Sequence, residues 1–503
     1  MSTLPSFRGA PPGTHLQEQI ARACRIASEV AGGRGAAAAR AIRERLEEPL
    51  RVAIAGRVKA GKSTLLNALV GERLAATDAG ECTRIVTWYR RGLAYGGRAV
   101  LRSGAEEELR FTREGGALSI DLGLHGAEEV ERIEVSWPSE RLARMTLVDT
   151  PGLQSLDVHW SARTRVLLGI EEEGHSQVDA VVYLMRHLHR SDAEFLEAFM
   201  DRSLSRPSPV NAVAVLARAD EIGAGRLDAL ESAAAIARRY AANGAVSSLC
   251  AAVVPVAGLI AETGFTLREE EMARLRALAA MEASELEGML LSVERFCAPG
   301  VGPLTAEYRR DLLLRLGLFG VRLCLGEIRE GRAATATAMA ATLVAASGIG
   351  RLIEVLDGQL ARRAVVLKAR SALVGLRALA RELAVEDPEG AERLAAEVER
   401  VEAGAHELAE LRLLHLLLTG AVTLSEEEQQ EVARLTTEGD PAERLGLAAD
   451  AGVDAERAAA LQRLEAWRRR AAHPLTDRAT AEACEVVAHS YERLLADFAA
   501  GPS

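Results

Sequence analysis

The 503-residue chain is 49% hydrophobic and 26% charged, with 4% aromatic residues, a formal net charge of −11 and six cysteines. That length holds about three domains with substantial cores, and a mean hydropathy of +0.03 is too low for a bundle of membrane spans. Scarce aromatics and net acidity exclude a sheet-dominated protein and a globally basic or aromatic-platform nucleic-acid binder, so no nucleic-acid partner is expected.

Residues 1–13 contain Pro5, Pro11 and Pro12 and no continuous apolar run of signal-peptide length. The cysteines, at 24, 82, 250, 297, 324 and 484, stand singly without CxxC or CxxH spacing, which reads as reduced thiols in the cytoplasm and no zinc site. From His15 to Leu46 the residues are helix formers, with Ile20, Cys24 and Ala27 at helical spacing and an interruption at Gly32-Gly33. Residues 1–48 therefore form an arm of one or two helices that folds back on a bundle. After Pro49, a short strand at Leu50–Ala55 opens an alternation of β-like and helical runs. The β-like runs are Arg84–Tyr89, Val130–Trp137, Met145–Val148, Val178–Met185, Val210–Leu216 and Val253–Val256. Alternation predicts an α/β domain over 49–262, a mostly parallel sheet with helices on both faces. From Thr263 the strand signal nearly vanishes, and 263–503 reads as a large all-α bundle or stalk. Its long amphipathic stretches are Glu270–Arg295, Ala306–Gly331 and Leu352–Glu386, and a capping box opens at Ser425. Ala333–Gly350 carries no charge but is mostly Ala, Thr and Gly, too weakly apolar for stable spanning. It reads as a packed helix and turn, or as a shallow interfacial tip assisted by Arg329, Arg332 and Arg351.

The chemistry lies in the middle domain. Gly56-Arg57-Val58-Lys59-Ala60-Gly61-Lys62-Ser63 fits the phosphate-loop pattern GxxxxGKS and sits between the first strand and a helical run beginning at Thr64. Backbone N–H groups of such a loop and of the helix N-terminus converge on phosphate oxygens. Lys62 is expected to reach the β- and γ-phosphates and the Ser63 hydroxyl to hold Mg²⁺. Downstream, Met145–Val148 runs into Asp149-Thr150-Pro151-Gly152. There a strand-end carboxylate suits Mg²⁺ held through water, and the Gly152 N–H suits the γ-phosphate. Between them, Thr83 is the candidate switch threonine closing over Mg²⁺ and phosphate, with Thr87 or a plain strand as alternatives. For the base, Ala217-Arg218-Ala219-Asp220 offers Asp220 as acceptor for the guanine N1 and N2 donors and Arg218 as a stem or plane over the ring; a helix-capping Asp220 is the alternative. Val253–Gly258 offers the Ala257 loop, whose backbone N–H would meet the base O6. His187-Leu188-His189 is flanked by Arg186 and Arg190, which disfavours a metal pair, and no GxSxG hydrolase motif occurs.

GRVKAGKSTLLNALVGE, ECTRIVTWYRRG, LVDTPGL, ARADEIGAGR and VVPVAGL, followed by a long helical region, resemble the bacterial dynamin-like GTPases, most closely the actinobacterial isoniazid-inducible (IniA/IniC) type, nearer IniC. The resemblance extends into SGIGRLIEVLDGQLARRAVVLKARSAL and AWRRRAAHPL. It implies a large GTPase that binds GTP and GDP with Mg²⁺ and associates through its nucleotide domains, with itself or with a related dynamin-like partner. It further implies coupling of hydrolysis to a helical stalk and action at the inner face of the plasma membrane on an anionic lipid surface. Dynamins carry a small polar residue that coordinates a monovalent cation where Lys59 stands here, so either Lys59 or Arg57 supplies that charge or Lys59 is a solvated loop residue. The alternatives for the whole chain are a soluble nucleotide-gated module of the ribosome-assembly kind and a regulatory partner of another dynamin-like protein.

Overall fold

The computed structural model describes residues 14–74, 85–114, 117–121, 125–126, 128–151, 177–187, 190–199, 209–242, 246, 248–437 and 439–500. Two helices open the described chain, α1 (Thr14–Val30) and α2 (Gly33–Arg45). Leu16, Ile20, Ala23, Cys24 and Ala27 make a continuous apolar stripe on α1. That stripe packs on Leu373, Leu376, Leu379 and Leu383 of helix Ala364–Leu383 and on Leu394 and Val398 of helix Pro388–Gly404, so the first helices bury their faces far along the sequence.

Among the described residues the α/β domain is built on a sheet of nine strands. They are β1 (Leu50–Gly56), β2 (Val86–Arg91), β3 (Gly96–Leu101), β4 (Glu106–Glu108), β7 (Val130–Trp137), β8 (Met145–Asp149), β9 (Ala180–Met185), β10 (Ala212–Ala217) and β11 (Ala252–Val256), in the order β11-β10-β9-β1-β8-β2-β7-β3-β4; β5 (Arg110–Glu114) and β6 (Ala117–Asp121) form a separate antiparallel hairpin. The five strands from β11 to β8 are parallel, and β9 and β10 are buried along their whole length, which is why they read as unbroken apolar runs. β2 reverses direction against β8. β7 runs parallel to β2, β3 and β4 follow antiparallel, and this mixed extension ends at β4, three consecutive glutamates whose charge blunts the exposed edge. Helices α3 (Lys62–Val70), α4 (Arg190–Phe199), α5 (Ala229–Ala241) and α6 (Gly258–Thr266) accompany the sheet.

The expected seam at 262/263 lies inside α6. Helices that follow it pack back onto the α/β domain: Leu312, Leu316, Phe319, Met339 and Leu343 share one apolar cluster with Ala229, Ala257 and Ile260. The stretch 333–350 is part of this packing. A Cβ at Gly264 would stand 2.7 Å from Val344 Cγ2, and one at Gly348 (φ +77°) would stand 2.3 Å from the Pro255 carbonyl oxygen. Met339, Leu343 and Ile349 are buried, so the small residues serve close helix contact and present no apolar tip to a bilayer. No single helix among the described residues is long and apolar enough to cross a membrane; one pair bent by 57°, Ala336–Ala346 with Ile349–Leu383, passes by length and composition alone.

One helix connects sheet and bundle. Ile349, Leu352, Val355, Leu356 and Leu360 pack with the sheet core, a π turn at Leu356–Leu360 and a 3₁₀ turn at Ala361–Arg363 follow, and Ala364–Leu383 then belongs to the bundle. Lys368 Nζ donates to the carbonyls of Leu46 and Glu48, at 2.6 and 2.8 Å, fastening the α2–β1 link to the same helix. The C-terminal helices Val453–Ala471 and Arg478–Ala500 form an antiparallel pair around Leu464, Trp467, Cys484, Val487 and Tyr491. All five cysteines among the described residues are thiols.

Candidate nucleotide-binding site

Among the residues singled out in the sequence, Lys62, Ser63, Asp149, Arg218 and Asp220 lie at or just beyond the carboxyl ends of the parallel strands, where open α/β sheets bind ligands. β1 delivers the chain to Gly56, at φ +150°, where a Cβ would stand 2.6 Å from the Leu184 carbonyl oxygen of β9. Only glycine allows the loop to leave the sheet this closely. The loop turns through Arg57, exposed Val58 and Lys59 and buried Ala60 to Gly61, which caps α3 at φ +97° without a side-chain cap. The first-turn amides of α3, those of Lys62, Ser63 and Thr64, are therefore presented to whatever anion enters. Lys59 sits at φ +64°, a conformation that costs a non-glycine residue roughly 1–2 kcal/mol.

Lys62 folds back over the loop, with Nζ 3.4 Å from the Gly56 carbonyl. Burial pushes its pKa down, against the pull of the Asp149 carboxylate. Asp149 ends β8, opposite Ile54 of β1 on one side and Thr87 of β2 on the other. Burial pushes its carboxyl up to about 6, while Lys62 and a hydrogen bond from Ser63 oppose the shift. Its Oδ1 is closed off from solvent and accepts no hydrogen bond among the described residues. An unsatisfied carboxylate oxygen beside a hydroxyl and an ammonium fits a hard, oxygen-seeking cation such as Mg²⁺. Thr87 is buried, with its hydroxyl turned to the Ile85 carbonyl at 3.5 Å. Thr83 and Gly152 lie outside the described residues.

After β10 the chain turns at Arg218, φ +55°. Its guanidinium donates to the Lys59 carbonyl at 2.9 Å and to Glu221 at 2.7 Å; both bonds lie in the guanidinium plane, so they strap it to the phosphate loop and leave its face and its alkyl stem uncommitted. This strap was not legible in the sequence, since nothing local in ARAD points 159 residues back. Asp220 is 7% exposed, and burial lifts its carboxyl to about 6. Gly258 approaches the N-terminus of α3, a Cβ there lying 3.6 Å from Thr64 Cγ2, which brings the loop after β11 to the site. The expected role of Ala257 needs correction: its N–H donates to the Ser347 carbonyl at 2.9 Å and the residue is fully buried, so that amide is taken before any base arrives.

A second group missed in the sequence lies behind α3. Asn67 Nδ2 donates to Glu262 at 3.2 Å, Arg73 pairs with Glu262 at 2.9 Å, and Arg315 stands 3.6 Å from the same carboxylate. These residues come from α3, the loop after it, α6 and helix Ala306–Arg329, and only the tertiary fold assembles them.

A model of the dynamin family matches residues 52–217. The chain is 40% identical over 502 residues to the isoniazid-induced protein IniC of Mycobacterium tuberculosis, covering 99% of this chain and 97% of that protein. The isoniazid-induced protein IniA of the same organism is 28% identical over 169 residues, 29% of this chain and 25% of its own. A solved bacterial dynamin pair, described as oligomerised and as providing a mechanism for long-range sensing and tethering of membranes, aligns at 14% identity over 98% of this chain and 77% of its own, with a TM-score of 0.28. With 40% identity to IniC along nearly its whole length, the chain belongs to the bacterial dynamin-like GTPases of the IniA/IniC type.

Proposed function

We propose that the chain binds GTP together with Mg²⁺ in the cradle between β1 and α3, hydrolyses its β–γ anhydride, and couples turnover to its helical half to remodel membrane at the inner face of the plasma membrane. The observation that carries the nucleotide reading is the unpartnered Asp149 Oδ1 beside Ser63 and Lys62 at the uncapped start of α3. Ser63 and Asp149, the latter through water, would hold Mg²⁺ with Thr83; when bound, the ion neutralises phosphate charge. Lys62 sets an ammonium against the β- and γ-phosphates, and the loop amides from Gly56 to Thr64 orient the triphosphate. Thr83 and the Gly152 N–H hold the attacking water. Asp220 accepts from the guanine N1 and N2 groups, with the Arg218 stem beside the ring. Lys59, or Arg57, supplies positive charge in place of a monovalent cation; unchanged turnover and unchanged potassium dependence in Lys59→Ala would remove that role.

Self-association runs through the nucleotide domains, with a second copy or a related dynamin-like chain. The candidate lipid contact is the turn between the last two helices, where Arg469, Arg470 and His473 line a cavity with Leu475, which is 89% exposed; Arg468, Arg469, Arg470 and Arg478 pair there with Glu492, Glu465, Glu428 and Glu482, so an anionic surface would compete with those carboxylates for them. Two measurements test the reading. Phosphate release from GTP should be lost in Lys62→Ala with the fold retained. The chain should co-sediment with anionic vesicles and lose that binding when the five basic residues of the turn are neutralised. Turnover without vesicle binding returns the soluble, nucleotide-gated module.

A further inference from the structure

Helix Ala306–Arg329 is interrupted at Gly317, whose φ of +63° and ψ of 176° lie in a region essentially closed to side chains. The break occurs in packed surroundings, with Leu316 and Phe319 buried on either side of it. A Cβ at 317 would stand 3.6 Å from Asp220 Oδ2 and 3.9 Å from Leu259 Cδ2. The kink thus faces the carboxylate that follows β10 across a space that one methyl would just fill. The contact is fixed on both sides. Beyond the kink, Arg322 donates to the carbonyls of Ala224 and Gly225 in the loop after Asp220 and to that of Leu290. Before it, the Thr263 hydroxyl donates to the Arg315 carbonyl, and the Arg315 guanidinium bonds Glu271 at 2.8 Å and Thr266 Oγ1 at 2.7 Å.

We propose that Gly317 is a positioning residue for base selection: the kink it permits makes helix Ala306–Arg329 a wall of the base site and holds the Asp220 carboxylate in one orientation. The proposal rests on the reading of Asp220 as the acceptor for the base. Guanine presents two donors, N1–H and the 2-amino group, and both oxygens of one carboxylate must face them together. A carboxylate free to rotate and hydrate loses that pairing, whereas a helix wall one methyl away from Oδ2 restricts water on that side. Hypoxanthine lacks the 2-amino group and offers one donor, so the GDP-to-IDP affinity ratio reads the orientation of Asp220 separately from general loosening of the site. Diphosphates avoid turnover during the measurement.

Titration calorimetry with GDP and IDP on the full chain, with Mg²⁺ present, tests this. Gly317→Ala should weaken GDP about tenfold, the loss expected of one hydrogen bond to a charged group, and weaken IDP much less, so that the ratio collapses. Arg322→Gln, which removes the second tie without touching the kink, should lower the ratio in the same direction. Gly326→Ala, in the same helix with nothing within 4 Å of the added methyl, should leave it unchanged. Folded Gly317→Ala with the wild-type ratio overturns the proposal; should that variant fail to fold, a wild-type ratio in Arg322→Gln overturns it instead. A wild-type chain that binds GDP and IDP equally overturns the reading of Asp220 itself, a result distinguishable from the other two.

Discussion

Asp149 and Asp220 are both lifted by burial from an ordinary 3.8 to about 6, and this acts in opposite directions on folding and on binding. Between pH about 4 and 6 the folded chain holds protons that the unfolded chain releases, so these two groups stabilise the nucleotide-free protein on acidification and destabilise it as pH rises through the window. In the roles proposed for them, Asp149 toward Mg²⁺ and Asp220 toward the base, both carboxylates act ionised, so affinity should rise with pH through 6. GDP–Mg²⁺ titrated at pH 5.5 and 7.5 is expected to bind more weakly at the lower pH. Asp149→Asn should remove much of that dependence and raise the nucleotide-free stability by about 1–2 kcal/mol, discounted for partial exposure of the residue. At this scale the sequence carried much information: spacing alone brought Lys62, Ser63 and Asp149 together. It could not show that the Ala257 amide is already bonded to Ser347, 90 residues later, or that Arg218 spends its guanidinium on the phosphate loop, because both partners are distant in the chain.

The phosphate loop as an element depends on two glycines for different reasons. At Gly56 an added methyl meets backbone oxygen at 2.6 Å, whereas at Gly61 it meets open space. Gly56→Ala should cost about 3 kcal/mol and abolish nucleotide binding, since β9 would have to shift. Gly61→Ala should cost only the left-handed strain of roughly 1–2 kcal/mol. Denaturant melts of the two variants check this, and equal losses would remove the packing explanation. Helices and central strands were legible from periodicity, yet their breaks were not. The stretch Glu270–Arg295 is divided into Glu269–Ala279, Ala283–Met289 and Val293–Phe296 by side-chain caps at Glu282 and Ser292 inside an amphipathic run. Strands β3 to β6 escaped notice because β3 opens on two glycines and an arginine, β4 is three glutamates, and β5 and β6 are five-residue strands with charges among their apolar residues, so none carries a clear apolar signature.

Over the whole molecule, sheet and bundle are joined at the helix that passes through the turns at 356–363 and, beside it, at the α2–β1 link, with Lys368 fastening one to the other. Lys368→Met would leave two carbonyls without their donor and is expected to cost about 2 kcal/mol, lowering the melting temperature while GDP affinity is retained. An all-α half after the α/β domain was evident from the loss of strand signal; the seam was not, because α6 runs across it and its apolar face serves both sides. The chain has three lysines, Lys59, Lys62 and Lys368, and they occupy three distinct environments: an exposed loop, the proposed nucleotide cradle, and a bond to the sheet–bundle link. An acylating reagent followed by peptide mass spectrometry therefore reports on three processes at once. Lys59 gives a solvent reference, Lys62 a footprint that nucleotide should erase, and Lys368 a label that appears only when the junction opens.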